Sequence, residues 1–133
     1  MKESIQEILR MDNYLGDLNI RVENAEPGML EFSMPFSDKV MRPGGIMNGG
    51  AIMTVLDAAG GLVAMTYGDV GNEVTINMNT NFMRGVSEGP VRVKATVTKR
   101  GKNITFSRIE MRDPRGNLCA EATGSWYVKR IDD

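Results

Sequence analysis

Four residues carry the chemistry this sequence could perform. Asn48, Gly49 and Gly50 stand together, and Asp57 follows nine positions after Asn48. Asn48 suits a helix N-cap, because its side-chain oxygen can accept an amide proton from the first turn. Gly49 and Gly50 would leave the next amides bare, and such a helix start binds anions or polarises a carbonyl. Asp57 is the only charged residue between Arg42 and Asp69. A carboxylate in an apolar helix must be paired, be solvated in a cleft, or shift towards its neutral form. It therefore has a plain reading, as a wet helix edge or structural acceptor, and a functional one, as a poised base. The glycines have a plain reading too, since they permit a tight turn and close helix packing.

The element that must hold these groups is one long apolar helix ending at Tyr67. Ile52, Val55, Leu56, Ala59 and Val63 recur at helical spacing. Ala58, Leu62 and Met65 widen the stripe, and Gly68 with Asp69 stops it. Ser37 to Met47, just before the helix, has no regular period and reads as a loop. It carries Arg42, whose favoured role is a surface or structural charge, with a ligand phosphate or a carboxylate as the functional partner.

The flanking elements follow from pattern. Residues 2–11 form a short amphipathic helix with Ile5, Ile8 and Leu9 on one side, and Tyr14 and Leu15 continue that surface. Leu18 to Glu23 and Met29 to Pro35 read as an antiparallel hairpin across Ala25-Glu-Pro-Gly28. Beyond the helix the period becomes two. Val74, Ile76, Met78, Thr80 and Phe82 share one strand face, opposite Thr75, Asn77, Asn79 and Asn81. Val91 to Val97, Ile104 to Met111 and Leu118 to Val128 supply further strands, separated by turn signals. The result is a single α+β domain over residues 1–133, a mostly antiparallel sheet curled around the central helix.

Composition narrows the chemistry. The formal net charge of -1 gives no nucleic-acid footprint. With no histidine, a serine–histidine pair and a histidine-ligated zinc are excluded within this chain. The lone Cys119 cannot form an internal disulfide, which points to a reducing, cytoplasmic setting. No signal peptide or membrane span is expected from the apolar runs. The eleven methionines are mostly filler, although Met41, Met47, Met53 and Met78 could line an acyl tunnel.

The spacing from Gly50 to Asp57 corresponds to roughly 10 Å along a helix, too far for one small group to touch both. If both act on one group, they come from two subunits of a two-fold dimer. The reaction would be acyl transfer to water. A glycine amide polarises a thioester carbonyl and steadies the oxyanion, and Asp57 serves as general base or nucleophile. Thr75 could hold water or Asp57 with its hydroxyl, or be a plain strand residue. Arg84, Lys99, Arg100 and Lys102 could meet the phosphates of coenzyme A, or be solvated charges.

Asn48-Gly49-Gly50, Asp57, the run Val74 to Asn79, Phe82-Met83-Arg84 and Asp113-Pro-Arg-Gly116 occur in an order that resembles the hotdog-fold acyl-CoA thioesterases of the phenylacetate-pathway type. The resemblance covers about Leu18 to Val128. It implies a curved antiparallel sheet around one long helix, dimers with a continuous sheet, frequent tetramers and active sites between subunits. Asp57 matches the family's base or nucleophile. Gly49 matches the glycine whose amide polarises the carbonyl, and Thr75 matches a hydroxyl that helps hold water in some members. Asn48 stands where the family usually has His, and Arg42 stands near an Asn that contacts water in some members. The implied substrate is a small aromatic or medium-to-long acyl-CoA, with coenzyme A as part of the substrate and no separate cofactor. Gly50, Met47, Met53, Asn79 and Arg42 join the basic residues as candidate substrate contacts. The implied partner is a second copy of the chain, as a homodimer or dimer of dimers. A non-catalytic acyl-CoA or fatty-acid binding protein on the same fold is the alternative that the Asn48 and Arg42 departures support. A dehydratase of this fold class would often need a histidine, and a purely structural oligomer would seal Asp57 into an interface.

Overall fold

The computed structural model describes residues 1–132 of the chain. Its first helix, α1, spans Lys2–Met11, and strands β1 (Arg21–Glu26) and β2 (Met29–Met34) follow. Two short strands, β3 (Met41–Arg42) and β4 (Ile46–Met47), lead into the central helix α2 (Gly49–Leu62). The long strands β5 (Val70–Phe82), β6 (Val91–Arg100), β7 (Ile104–Arg112) and β8 (Leu118–Arg130) complete the chain. Six strands form one antiparallel sheet in the order β1-β2-β6-β7-β8-β5. This is the α+β hotdog arrangement that the resemblance implies.

The helix stripe and the inward strand residues make the core. Ile52, Val55, Leu56, Ala59 and Val63 are buried, as are Leu30, Phe32, Met34, Val91, Val93, Ala95, Ile109, Met111, Ala120, Ala122 and Trp126. The α-helix is shorter than its apolar pattern predicts. It tightens at Val63 into a 3-10 turn running to Tyr67, and Gly68 then takes a φ of +85°. Taken together, Gly49–Tyr67 is long and apolar enough to cross a membrane by length and composition, yet 67% of that window is buried inside the protein.

Several local expectations need correction. The first strand begins at Arg21 rather than Leu18, because Leu15–Leu18 is a 3-10 turn. Asp12 Oδ1 starts that turn by accepting from the amides of Tyr14 and Leu15, at 2.9 and 2.8 Å. Residues 37–47 are not a featureless loop. They hold a 3-10 turn at Asp38–Val40 and the β3–β4 hairpin, whose Gly44 and Gly45 adopt φ of +100° and +77°. Ile5 and Leu9 are buried, but Ile8 is 38% exposed.

The consequential correction concerns β5. Its register against β8 runs Thr75↔Trp126 and then Asn77↔Ser125, so Ile76 is an extra, bulged residue. A bulge inverts the alternation beyond it. Direct cross-strand partners share a sheet face. Glu73, Thr75, Met78, Thr80 and Phe82 therefore lie on the helix side, opposite Val128, Trp126, Gly124, Ala122 and Ala120. Val74 and Ile76 do not share the face of Met78, and they stand 59% and 54% exposed.

Gly60 sets how closely α2 meets the sheet. A Cβ there would lie 2.3 Å from Cη2 of Trp126, and the Gly60 carbonyl accepts from Ser107 Oγ at 3.1 Å. Alanine is about 1 kcal/mol better than glycine in a free helix. Gly60→Ala nevertheless destabilises the protein by roughly 1–3 kcal/mol, because the indole cannot retreat into a filled core. Equilibrium denaturant unfolding measures the sign, and a stabilised variant would refute the close contact.

Candidate active site

Asp57 lies half-buried on the face of α2 turned towards β5 and β8. The Thr75 hydroxyl donates to its Oδ1 at 2.6 Å, and the indole Nε1–H of Trp126 donates to the same oxygen at 3.2 Å. Thr75 and Trp126 are register partners, so one rung of the β5–β8 ladder supplies both donors. The bulge at Ile76 leaves Thr75 on that rung while later residues are re-aimed.

A cavity of about 360 Å³ opens beside Asp57 and is lined by Ile8, Tyr14, Leu15, Thr54 and Glu73, among others. Thr54 Oγ1 donates to the Gly50 carbonyl at 2.8 Å and stands 3.3 Å from the Tyr14 hydroxyl, which makes the tyrosine the donor of that pair. The segment after α1 is thereby tied to the helix beside the cavity.

Glu73 is a second carboxyl in this cavity. Burial raises it from an ordinary 4.5 to about 7, and the nearby charge of Asp57 pushes in the same direction. Its oxygens lie over Gly61, where a Cβ would come within 2.2 Å of Oε2. Among the described residues its carboxyl has no hydrogen-bond or ion-pair partner. Sequence reasoning missed Glu73 by starting the strand at Val74. The available signal was parity, since a residue two before Thr75 shares its face. Sequence pattern marks Tyr14 and Trp126 only as packing residues and gives no signal for Thr54.

The helix start differs from the expectation in one respect. Asn48 caps it, with Oδ1 accepting from the Gly50 amide at 2.7 Å. The Gly50 amide is therefore engaged and is no free donor. The Gly49 amide finds no acceptor among the described residues, and the Phe82 ring lies 3.7 Å from where a Gly49 Cβ would be. Gly49 does not line the Asp57 cavity, so a single protomer does not bring the two into one cavity.

The other candidates are scattered. Met47 is 3% exposed and belongs to the core, so it cannot line an open tunnel. Met53 is 44% exposed on α2. Asn79 pairs with Thr123 on the outer face, turned from the helix by the bulge. Arg42, Arg84, Lys99 and Lys102 are exposed. Arg100 is not a free cation. It bonds the Asp69 carboxylate and stacks 4.0 Å over the Tyr67 ring, while Arg130 Nη1 reaches Asp69 at 2.7 Å. These contacts hold Asp69 below the usual carboxylate range, the Arg100 hydrogen bond foremost. The cluster sits past the C-terminal end of the central helix, at the opposite end from Asn48.

Comparison with known proteins converges on one family. Residues 44–120 match the family model described as the thioesterase superfamily. A Thermoplasma acidophilum protein provisionally named an esterase, Ta0293, is 41% identical over 96% of this chain and 97% of its own length. The 1,4-dihydroxy-2-naphthoyl-CoA hydrolase of Escherichia coli K12 is 28% identical over 83% of this chain and 82% of its own. The crystal structure of thioesterase HI1161 from Haemophilus influenzae aligns with a TM-score of 0.86 at 23% identity, covering 100% of this chain and 93% of that one, which shows a common fold.

Proposed function

The chain belongs to the thioesterase superfamily, and from that premise we propose that it hydrolyses acyl-CoA thioesters with Asp57 as general base or nucleophile. It is a hotdog-fold thioester hydrolase. The observation that carries the assignment to Asp57 is its placement. It is the charged residue of the core helix, held by two donors and open to a cavity.

In the general-base form, Asp57 takes a proton from water as the water oxygen attacks the thioester carbonyl carbon. The C–S bond breaks, coenzyme A departs as its thiolate, and that sulfur recovers the proton. The Gly49 amide of a second copy steadies the oxyanion. The β5 edge supports such pairing. β5 bonds β8 on one side only, whereas at the other edge Gln6 caps the start of β1, donating to the Ile20 carbonyl at 3.0 Å and accepting from the Val22 amide at 2.8 Å. A homodimer joined along β5 gives a continuous sheet, and a dimer of dimers would form by packing of such sheets rather than by lengthening them.

The acyl group is small and aromatic, or of medium length, as in the phenylacetate-pathway type. A cavity of about 360 Å³ accommodates it, and the E. coli relative is named for an aromatic acyl-CoA. The free, buried Cys119 suits a cytoplasmic setting. Turnover of phenylacetyl-, naphthoyl-, hexanoyl- and palmitoyl-CoA, followed by thiol release, tests the reading. Aromatic substrates are expected to be fastest, and no turnover of any would overturn it.

The shared site has its own test. Gly49→Pro deletes the amide at a helix position where proline is tolerated. Homodimers of Gly49→Pro and of Asp57→Asn are both expected to be nearly inactive. Random exchange at equal ratio makes half the dimers mixed, each with one intact site, restoring about a quarter of wild-type activity. Proven heterodimers without recovery would refute a site built from two chains.

A further inference from the structure

We propose that Trp126 is a positioning residue for this reaction: with Thr75 it secures Asp57 through Oδ1 and so assigns the chemistry to Oδ2. The inference rests on the role given to Asp57 above. Its basis is the hydrogen bonding of that carboxylate. Both donors, Thr75 Oγ1 and Trp126 Nε1, converge on Oδ1, and Oδ2 has no donor among the described residues. Any rotation of the carboxylate short of the half-turn that exchanges its two equivalent oxygens would weaken both bonds together.

The two donors are not equivalent. Thr75 is exposed in the single protomer, on the strand that the dimer would pair, and its hydroxyl can rotate to another acceptor. Trp126 is fully buried, and its ring is walled in by glycines. A Cβ on Gly60 would lie 2.3 Å from Cη2, and one on Gly124 would lie 2.7 Å from the same atom. These two bare positions let the indole stand between helix and sheet at the depth where its N–H reaches Asp57. A buried indole N–H requires an acceptor, and among the described residues that acceptor is Asp57. The ring therefore supplies a fixed reference for the carboxylate that a rotatable threonine hydroxyl cannot supply alone.

A purely structural tryptophan would contribute through its volume, and a positioning one through its N–H. The chain has one tryptophan, so an analogue can be placed there without ambiguity. Replacing Trp126 by 3-benzothienylalanine keeps the ring shape and substitutes sulfur for N–H. The expected result is an unfolding midpoint close to wild type, a KM changed less than about twofold and a kcat lowered roughly tenfold, as for loss of one hydrogen bond to a charged group. Thr75→Val should lower kcat similarly, and Thr75→Ser should restore it. A folded analogue protein with wild-type kcat would overturn the inference while leaving the hydrolase reading intact. A wild-type protein that hydrolyses no acyl-CoA would instead overturn the reading beneath it, and this inference with it. If the analogue protein fails to fold, the single indole ¹⁵N–¹H resonance serves. It is expected to exchange slowly with solvent and to shift on Asp57→Asn, and an unprotected resonance that ignores that substitution would refute the contact.

Discussion

Asp57→Asn lowers kcat on the best acyl-CoA substrate by roughly 10²–10⁴-fold, the usual contribution of a positioned acid–base group, and leaves the fold standing. Asparagine has nearly the same shape. Its carbonyl oxygen can still accept from Thr75 and Trp126, whose donor atoms stand 2.6 and 3.2 Å from Oδ1 in the native protein. The variant therefore removes the charge and the basic oxygen without orphaning the buried indole N–H. KM should change little, because the proposed role of the carboxylate is towards water or the carbonyl carbon and not the acyl chain. The same substitution relieves Glu73 of the like charge that helps to raise it, so part of that elevation should disappear. Steady-state kinetics beside denaturant unfolding separate these effects. Activity within tenfold of wild type in a folded variant would remove Asp57 from the reaction.

What could be read from the chain was what local spacing controls. The apolar repeat of Ile52, Val55, Leu56, Ala59 and Val63 predicts the central helix, because a helix face is set by residues three and four apart. Asn48 as its cap follows from side-chain geometry alone, and Asp57 stands out as a charge in an apolar run. Even there, spacing leaves open which amide the cap engages. If Asn48 caps the helix through its side chain, an amide of the first turn must be consumed, and it is that of Gly50. With the Gly50 amide taken by the cap, the bare donor of the pair is Gly49.

The rest was illegible for a different reason. Alternation reports strand parity only while the period is unbroken, and the bulge at Ile76 breaks it without any glycine or proline to announce it. Unbroken parity would put Asn79 on the face of Thr75, whereas the register turns it outwards beside Thr123. Local sequence does not reveal the partner of Arg100, because Asp69 is 31 positions away in the chain. Trp126 lies 69 positions from Asp57, and only the β5–β8 register brings its N–H to the carboxylate. Helix, cap and acid are local facts, whereas the clamp on the acid and its carboxyl neighbour are facts of strand pairing.

That neighbour gives the other large prediction. Glu73→Gln stabilises the protein at pH 8 by up to about 3 kcal/mol and hardly at all at pH 4.5. The sign follows from linkage. The folded-state value of Glu73 is about 7 against an ordinary 4.5, with burial the first cause and the Asp57 charge the second. Between those values the folded protein keeps a proton that the unfolded chain has released. Stability from this group is therefore full below about 4.5, falls as pH rises, and is lost once pH passes about 7. Glutamine has no proton to lose, so the variant lacks that slope. It also fits the space over Gly61, where Glu73 already fills the volume a side chain would need. Urea unfolding of both proteins at several pH values, at one fixed protein concentration, makes the comparison. The two curves should meet near pH 4.5 and separate above it, and parallel curves would mean that Glu73 is freely solvated in the folded protein. A carboxyl that weakens the fold at neutral pH, beside the acid proposed to do the chemistry, is the kind of local conflict found at functional sites.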